Sequence, residues 1–175
     1  MESWVAAYAN QAGNEREEET VRKILVPVDG SEDSLVAVRE AIRQGNAAKS
    51  AEIHVLNVQP PAFVGETMIG MRPEQTDSYY YERSGRALAS AEALLRMTEL
   101  AFTSHRVVGP IVPSILDKQR ELDCDSIVMS TQGHGRIAGA LLGSVSSKVL
   151  HLAAVPVTLV KGPSGPDFTG RLGAT

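Results

Sequence analysis

Two kinds of hydrophobic pattern alternate along the chain. Short, nearly continuous apolar runs, such as 23–29 and 126–130, are typical of strands that are covered on both faces of a parallel sheet. Between these runs, apolar residues recur every three or four positions, which is typical of amphipathic helices. The predicted strands are 23–29, 53–58, 106–108, 126–130 and 156–160, and the predicted helices are 32–45, 78–104, 113–122 and 145–153.

Five strands that alternate with four helices predict an α/β fold, because each helix can cross over the sheet to the next parallel strand. We expect a doubly wound, five-stranded parallel sheet in the order 3-2-1-4-5, with right-handed crossovers and two helices on each face. Residues 59–77 fit this scheme less well, since loops of that length are uncommon in compact domains. Either the loop serves a binding site or an interface, or the second helix begins earlier than residue 78.

Three residues set the expected ends of helices. Ser31 is placed to cap the first helix, and Gly45 is a plausible stop for it. Pro113 suits the first turn of the third helix, where its missing N–H costs nothing. We therefore expect the first helix to end near Gly45 and the third to open at Pro113.

The two ends of the chain differ in composition from the body between them. Residues 9–20 hold few large apolar groups and a charged cluster at 15–19, so we expect residues 1–21 to form a flexible N-terminal extension. Residues 162–175 are rich in glycine and proline, which predicts a disordered tail. The folded domain is expected to span residues 22–161.

Composition and charge narrow the classes of function. Seventeen basic and twenty-one acidic side chains give a net charge of −4, so no basic surface is available to follow the phosphates of a nucleic acid. The single cysteine, Cys124, cannot form an internal disulfide, which fits a reducing compartment. No signal-peptide pattern starts the chain, and no apolar run approaches the roughly 20 residues that span a bilayer. We expect a cytoplasmic protein that binds neither nucleic acid nor membrane.

Two strand ends carry candidate chemistry. Ligands of open α/β sheets collect at the carboxyl ends of strands, where the winding direction reverses. Asp29 follows the first strand, where it either bonds a ribose or a base, or caps the next turn; the local sequence leaves both open. Residues 133–143 follow the fourth strand and hold four glycines just before a helix. That arrangement predicts a phosphate site made by backbone amides and a helix N-terminus, although a plain flexible loop would also use glycines.

The other motifs in the sequence do not indicate a common class of enzyme. Residues 133–138 formally match G-x-G-x-x-A, but they follow the fourth strand, and no acidic residue lies about 20 positions downstream as a dinucleotide site requires. No P-loop and no G-x-S-x-G motif occur. The four histidines lie on separate predicted elements, so we expect no metal site. Asp29 stands alone near the predicted site, so no catalytic base is visible and we expect that the protein is not an enzyme.

Several of these segments together resemble the universal stress protein family. They are 23–31, 125–133, the Gly143-Ser144-Val145 step and 155–160. The ATP-binding members of that family carry G-x2-G-x9-G-[ST]. Here Gly133, the nine-residue gap, Gly143 and Ser144 match, while Ser130 takes the place of the first glycine. The resemblance covers residues 22–161 and implies the same five-stranded parallel fold.

The resemblance also implies a site for ATP, or for ADP or AMP, with Mg²⁺ carried in by the phosphates. Ser130 would either crowd a phosphate or donate a hydrogen bond to it, and His134 lies inside the loop, where it would touch a phosphate or solvent. The implied adenine and ribose contacts are Pro27, Val28, Asp29 and Val58; Met129 and Ser130 would border the ribose and phosphates; and Gly133, His134, Gly143, Ser144 and Val145 would surround the phosphates.

The implied function is adenine-nucleotide binding with a regulatory role in a stress response. Two alternatives remain at this point: a slow ATPase or nucleotide hydrolase that uses the same pocket, and an interaction module whose site Ser130 has closed. We also expect a homodimer through the last strand, Val157 to Val160, because an exposed apolar edge favours pairing with another chain. Family members commonly dimerise through this strand.

Overall fold

The structure, a computed structural model, describes residues 21–61, 73–133 and 142–162. The predicted N-terminal extension up to residue 20, the predicted tail beyond residue 162 and His134 lie outside these ranges. So does most of the predicted loop 59–77.

The described chain forms a five-stranded, all-parallel sheet in the order β3-β2-β1-β4-β5. This confirms the predicted fold class and strand order. The strands are β1 (Arg22–Pro27), β2 (Ala51–Gln59), β3 (Ala101–Val108), β4 (Ser126–Ser130) and β5 (Val157–Val160), and the helices are α1 (Glu32–Ala47), α2 (Pro73–Arg96), α3 (Ile111–Glu121) and α4 (Ser144–Leu152).

Side chains of the central strands alternate between two apolar cores, one on each face of the sheet. Ile24 and Val26 point to the side where α1 and α2 pack, whereas Leu25 points to the side of α3 and α4. Two helices therefore cover each face, as predicted. Within the described ranges, no helix is both long and apolar enough to cross a membrane.

The first helix begins as predicted but does not end at Gly45. The hydroxyl of Ser31 accepts a hydrogen bond from the amide of Ser34, at 3.1 Å. The helix continues past Gly45 to Ala47. Gly45 is buried against Leu100, and a Cβ on Gly45 would lie 2.9 Å from a methyl carbon of Leu100. This glycine therefore makes room for packing and is not the stop.

The boundary between α2 and β3 was predicted too late in the chain. The helix ends at Arg96, and β3 already begins at Ala101. Phe102 fits the helical spacing by coincidence, and its side chain packs into the first core from a strand. The helix also begins at Pro73, before residue 78, so the second explanation offered for the long loop is correct.

The third helix begins two residues earlier than predicted. Pro110 occupies its N-cap position, and Ile111 is its first residue. Pro113 lies inside the first turn, where a helix has no intrahelical acceptor for an N–H. A proline there is compatible with the helix but does not mark its start.

A pair of histidines is enclosed between the sheet and α3. Nδ1 of His54 on β2 lies 3.2 Å from Nε2 of His105 on β3. Burial lowers the pKa of both imidazoles below the usual value, and each is further affected by neighbouring charges. These charged neighbours are Lys23 on β1, Glu52 on β2, and Lys118 and Glu121 on α3.

We expect this histidine pair to make the fold less stable in mild acid. In the unfolded chain both imidazoles protonate near their ordinary pKa of 6.5, whereas the folded chain keeps them neutral to lower pH. The unfolded state then binds more protons, so the contribution is intact above about pH 6.5 and is lost as the pH falls below it. The Tm from calorimetry should drop by a few degrees between about pH 7.5 and about pH 5.5.

Glutamine at both His54 and His105 should flatten that dependence. Glutamine at His151, which is exposed on α4, is the matched control and should leave the slope as it is. An unchanged slope in the double variant would contradict the assignment, whatever the absolute Tm of that variant.

Candidate functional site

A cavity of about 660 Å³ lies at the carboxyl ends of β1, β2 and β4. Its volume is typical of sites that hold a small molecule. The neighbours β1 and β4 flank the place where the winding of the sheet reverses, which is where open α/β sheets bind their ligands. Every predicted site residue within the described ranges lines this cavity: Pro27, Val28, Asp29, Val58, Met129, Ser130, Gly133, Gly143, Ser144 and Val145.

The carboxylate of Asp29 joins the turn after β1 to the glycine loop. Its Oδ1 accepts hydrogen bonds from the amide of Ser31 at 3.0 Å and from the hydroxyl of Ser31 at 2.6 Å. The geometry thus agrees with the capping alternative. A Cβ on Gly133 would overlap Oδ2 of the same carboxylate. Asp29 therefore faces the cavity beside Gly133 while it holds the start of α1.

Ser130 is buried at the end of β4, and its hydroxyl donates to the carbonyl of Gln132 at 2.5 Å. The proton that it could have offered to a ligand is used inside the turn. A serine at this position therefore closes the turn after β4 by a side-chain hydrogen bond. Ser130 still lines the cavity.

Hydrogen bonds connect the turn after β4 to the start of α4. The amide of Gly143 donates to the carbonyl of Thr131 at 2.7 Å. The hydroxyl of Ser146 donates to the same carbonyl at 2.8 Å. The sequence reasoning missed Ser146, which also lines the cavity. Together these bonds set the position of the helix N-terminus.

The amide of Gly143 is not among the amides left free at the start of α4. The amide of Gly143 is already bonded, and the first intrahelical bond runs from Ser147 to the carbonyl of Gly143 at 3.0 Å. The amides of Ser144, Val145 and Ser146 therefore lack an intrahelical acceptor. They carry the partial positive charge of the helix N-terminus at the wall of the cavity.

Two buried amide side chains at the end of β2 were also missed. Nδ2 of Asn57 donates to the carbonyl of Val28 at 2.8 Å, and Nε2 of Gln59 donates to Oδ1 of Asn57 at 2.7 Å. Both side chains line the cavity, and they link the ends of β1 and β2. A period-two pair of polar residues at the end of an apolar strand was the sequence signal that could have identified them.

Helix α2 supplies a further wall of the cavity. Gly30 adopts a φ of 88°, and a Cβ there would lie 3.0 Å from Cα of Ala87, so the turn and the helix are in close contact. This contact brings Arg83 and Arg86 to the cavity. The sequence reasoning missed both, because the face that a helix turns towards a site depends on how it packs.

Candidate nucleophiles and metal ligands are sparse in the described part of the chain. No cluster of three metal-binding side chains occurs there. Cys124 lies away from the cavity, and burial, with smaller effects from Asp125 and Asp123, raises the pKa of its thiol to about 11. A thiol with so high a pKa is a poor nucleophile. Among the described lining residues, Asp29 is the one carboxylate.

The sequence model of the universal stress protein family matches residues 20–161. The chain belongs to the universal stress protein family. It is 31% identical over 151 residues to universal stress protein MJ0531 of Methanocaldococcus jannaschii, and the match covers 83% of this chain and 85% of that relative. It spans about half the length of Rv1996 of Mycobacterium tuberculosis, at 27% identity, with 78% of this chain and 47% of the relative covered.

Solved structures show the same fold. A universal stress protein in complex with cAMP matches with a TM-score of 0.57 and 24% identity, and the match covers 81% of this chain and 97% of that one. The Arabidopsis thaliana protein At3g01520, solved with AMP bound, matches with a TM-score of 0.57 and 18% identity, over 82% of this chain and 93% of that one. These likenesses establish the architecture, and the ligands named are those of the neighbours.

Proposed function

We propose that this universal stress protein binds an adenine nucleotide, with ATP as the expected ligand, and that it acts as a regulatory protein in a stress response. The observation that carries the proposal is the cavity at the β1–β4 switch point. In it, Asp29, Gly133 and the N-terminal amides of α4 surround one space. Two structures of the same fold, solved with cAMP and with AMP, support the choice of an adenine nucleotide.

Each part of the cavity suits one part of the nucleotide. Pro27, Val28, Val58 and Met129 offer apolar surface for the base, and Asp29 offers a carboxylate to the ribose hydroxyls. Gly133 leaves room for a phosphate to approach the backbone, and the amides of Ser144 and Val145 can donate to it. Mg²⁺ would enter on the phosphates of ATP, because the described lining offers only one acid and Mg²⁺ sites of this kind rely on substrate phosphates.

We propose binding without efficient hydrolysis. A general base must lie within hydrogen-bond reach of the attacking water. Asp29 already accepts two hydrogen bonds from Ser31 on one oxygen. The slow ATPase considered from the sequence remains the second candidate, because the same carboxylate lies in the cavity.

We also propose a homodimer joined through β5 and a cytoplasmic location. The dimer is supported by the position of β5 at the end of the described sheet, where its four residues are all half-buried and apolar or β-branched. The location is supported by the cysteine content. The sequence contains one cysteine, which is buried and forms no disulfide, and this fits a reducing compartment.

Alanine at Asp29 should weaken the binding of ATP about tenfold, or about 1.4 kcal/mol, because it removes a charged hydrogen-bond acceptor from the ribose. Calorimetric titration with ATP, ADP and AMP measures this loss. Alanine at Asp117, an exposed acid on α3 that pairs with Arg120 outside the cavity, is the control and should bind as the wild type does.

Two results would overturn parts of the proposal. Folded wild-type protein that binds none of the three nucleotides at millimolar concentration would exclude the nucleotide site and leave the interaction module. Steady phosphate release from ATP that disappears in the Asp29 variant would establish the ATPase instead.

A further inference from the structure

Two arginines, Arg83 and Arg86, form a cationic wall of the cavity. Arg83 and Arg86 lie three positions apart on α2, so both project from one face of that helix. Both line the cavity and both are exposed to solvent there. Ser84 and Leu88, on the other side of the same turns, are buried, and Leu88 packs into the first core. The core packing of α2 thus directs the two guanidinium groups to the site.

The charge of this wall is not neutralised within the described part of the chain. Arg43, Arg96 and Arg120 each pair with a carboxylate on their own helix. Arg83 instead donates to the neutral hydroxyl of Tyr79 at 2.8 Å, and Arg86 has no ion pair with any described residue. With Asp29 as the one acid among the described lining residues, that part of the lining carries an excess of positive charge, to which the N-terminus of α4 adds.

The wall is adjacent to the place proposed for the phosphates. Ala87, next to Arg86, contacts the turn at Gly30. The preceding residue, Asp29, has a carboxylate oxygen beside Gly133. One continuous set of contacts therefore leads from the arginines to the glycine loop.

We propose that Arg83 and Arg86 bind the outer phosphates of the nucleotide and make the site prefer a triphosphate to a monophosphate. This inference rests on the proposed function. One phosphate is satisfied by the amides of Ser144 and Val145, while each further phosphate adds negative charge that needs a cationic partner. Guanidinium groups suit that role because they bind phosphate oxygens in pairs and keep their charge at any physiological pH.

Titration of four proteins with ATP and with AMP tests the inference. These are the wild type, Arg83→Gln/Arg86→Gln, Arg83→Lys/Arg86→Lys, and Arg96→Gln, the last an arginine of the same helix outside the cavity. The wild type should bind ATP at least tenfold more tightly than AMP. The double glutamine variant should lose at least tenfold in ATP affinity and less than twofold in AMP affinity. The lysine variant should fall between, because it keeps the charge and loses the paired geometry.

Arg96→Gln should match the wild type for both nucleotides. The ATP affinity of the wild type should also fall more steeply with added salt than that of the glutamine variant, because charge attraction is screened. Equal loss for ATP and AMP, or no loss for ATP, would overturn the inference while leaving nucleotide binding intact. A wild type that binds neither nucleotide would overturn the proposed function and this inference with it.

Discussion

Alanine at Gly133 is expected to reduce the affinity for ATP on the order of fiftyfold, or about 2.3 kcal/mol. The added Cβ would overlap Oδ2 of Asp29, so either the carboxylate or the loop must move. Displacement of the carboxylate would take the acceptor away from the ribose, and the methyl group would occupy space needed by a phosphate. Because the ribose contact and the phosphate contact are both weakened, the loss of ATP affinity should exceed that of the Asp29 variant alone.

Alanine at Gly85 is the matched control for this substitution. Gly85 lies within α2, it does not line the cavity, and the nearest atom that an added Cβ would meet is a nitrogen of Arg106 at 3.8 Å. The Gly85 variant should bind ATP as the wild type does. It should be slightly more stable to unfolding, since alanine is more favourable than glycine in a helix interior by about 1 kcal/mol. Normal ATP affinity in the Gly133 variant would show that the loop does not surround the phosphates.

The fold could be predicted from the sequence because its central strands are apolar on both faces. Runs such as Ile24–Val26 and Ile127–Met129 have one physical explanation, burial between two helical layers. The edge strand β3 was predicted less well, since its residues alternate between exposed and half-buried. Polar residues such as Thr103 and Ser104 can occupy such a strand, so the pattern resembles the end of the preceding helix.

The residues that line the cavity also fall into those that the sequence could predict and those that it could not. Asp29 and Gly133 lie at strand ends and could be found from topology alone, because the carboxyl ends of parallel strands meet at one edge. Arg83 and Arg86 could not be found in this way, because they reach the cavity only through the close contact of Gly30 with Ala87. That contact joins segments far apart in the chain. The bonded amide of Gly143 likewise depends on how the two ends of the glycine loop meet, which spacing does not specify.

The geometry of β5 shows which backbone groups a partner would use. The carbonyls of Pro156 and Val160 accept hydrogen bonds from the amides of Ile127 and Thr131. Backbone groups of successive residues point to opposite sides of a strand, so Thr158 also faces β4. Val157 and Leu159 then present their N–H and C=O groups to the outer edge, which is where a second copy would pair. A two-fold axis at this edge gives a closed dimer.

Proline at Leu159 should therefore shift the proposed dimer to a monomer. The substitution removes an N–H that points away from β4 and leaves the hydrogen bonds between β4 and β5 intact. An edge strand tolerates proline at such a position. Light scattering at micromolar concentration should give about twice 18.7 kDa for the wild type and about half of that value for the variant. Proline at Ser104, on the edge strand β3 at the other side of the sheet, is the matched control. The amide of Gly109 donates to the carbonyl of Gln59 on β2, so the backbone groups of Ser104, five residues earlier, point away from β2. The Ser104 variant should remain dimeric. A wild-type monomer, or equal loss of the dimer in both variants, would exclude an interface at β5.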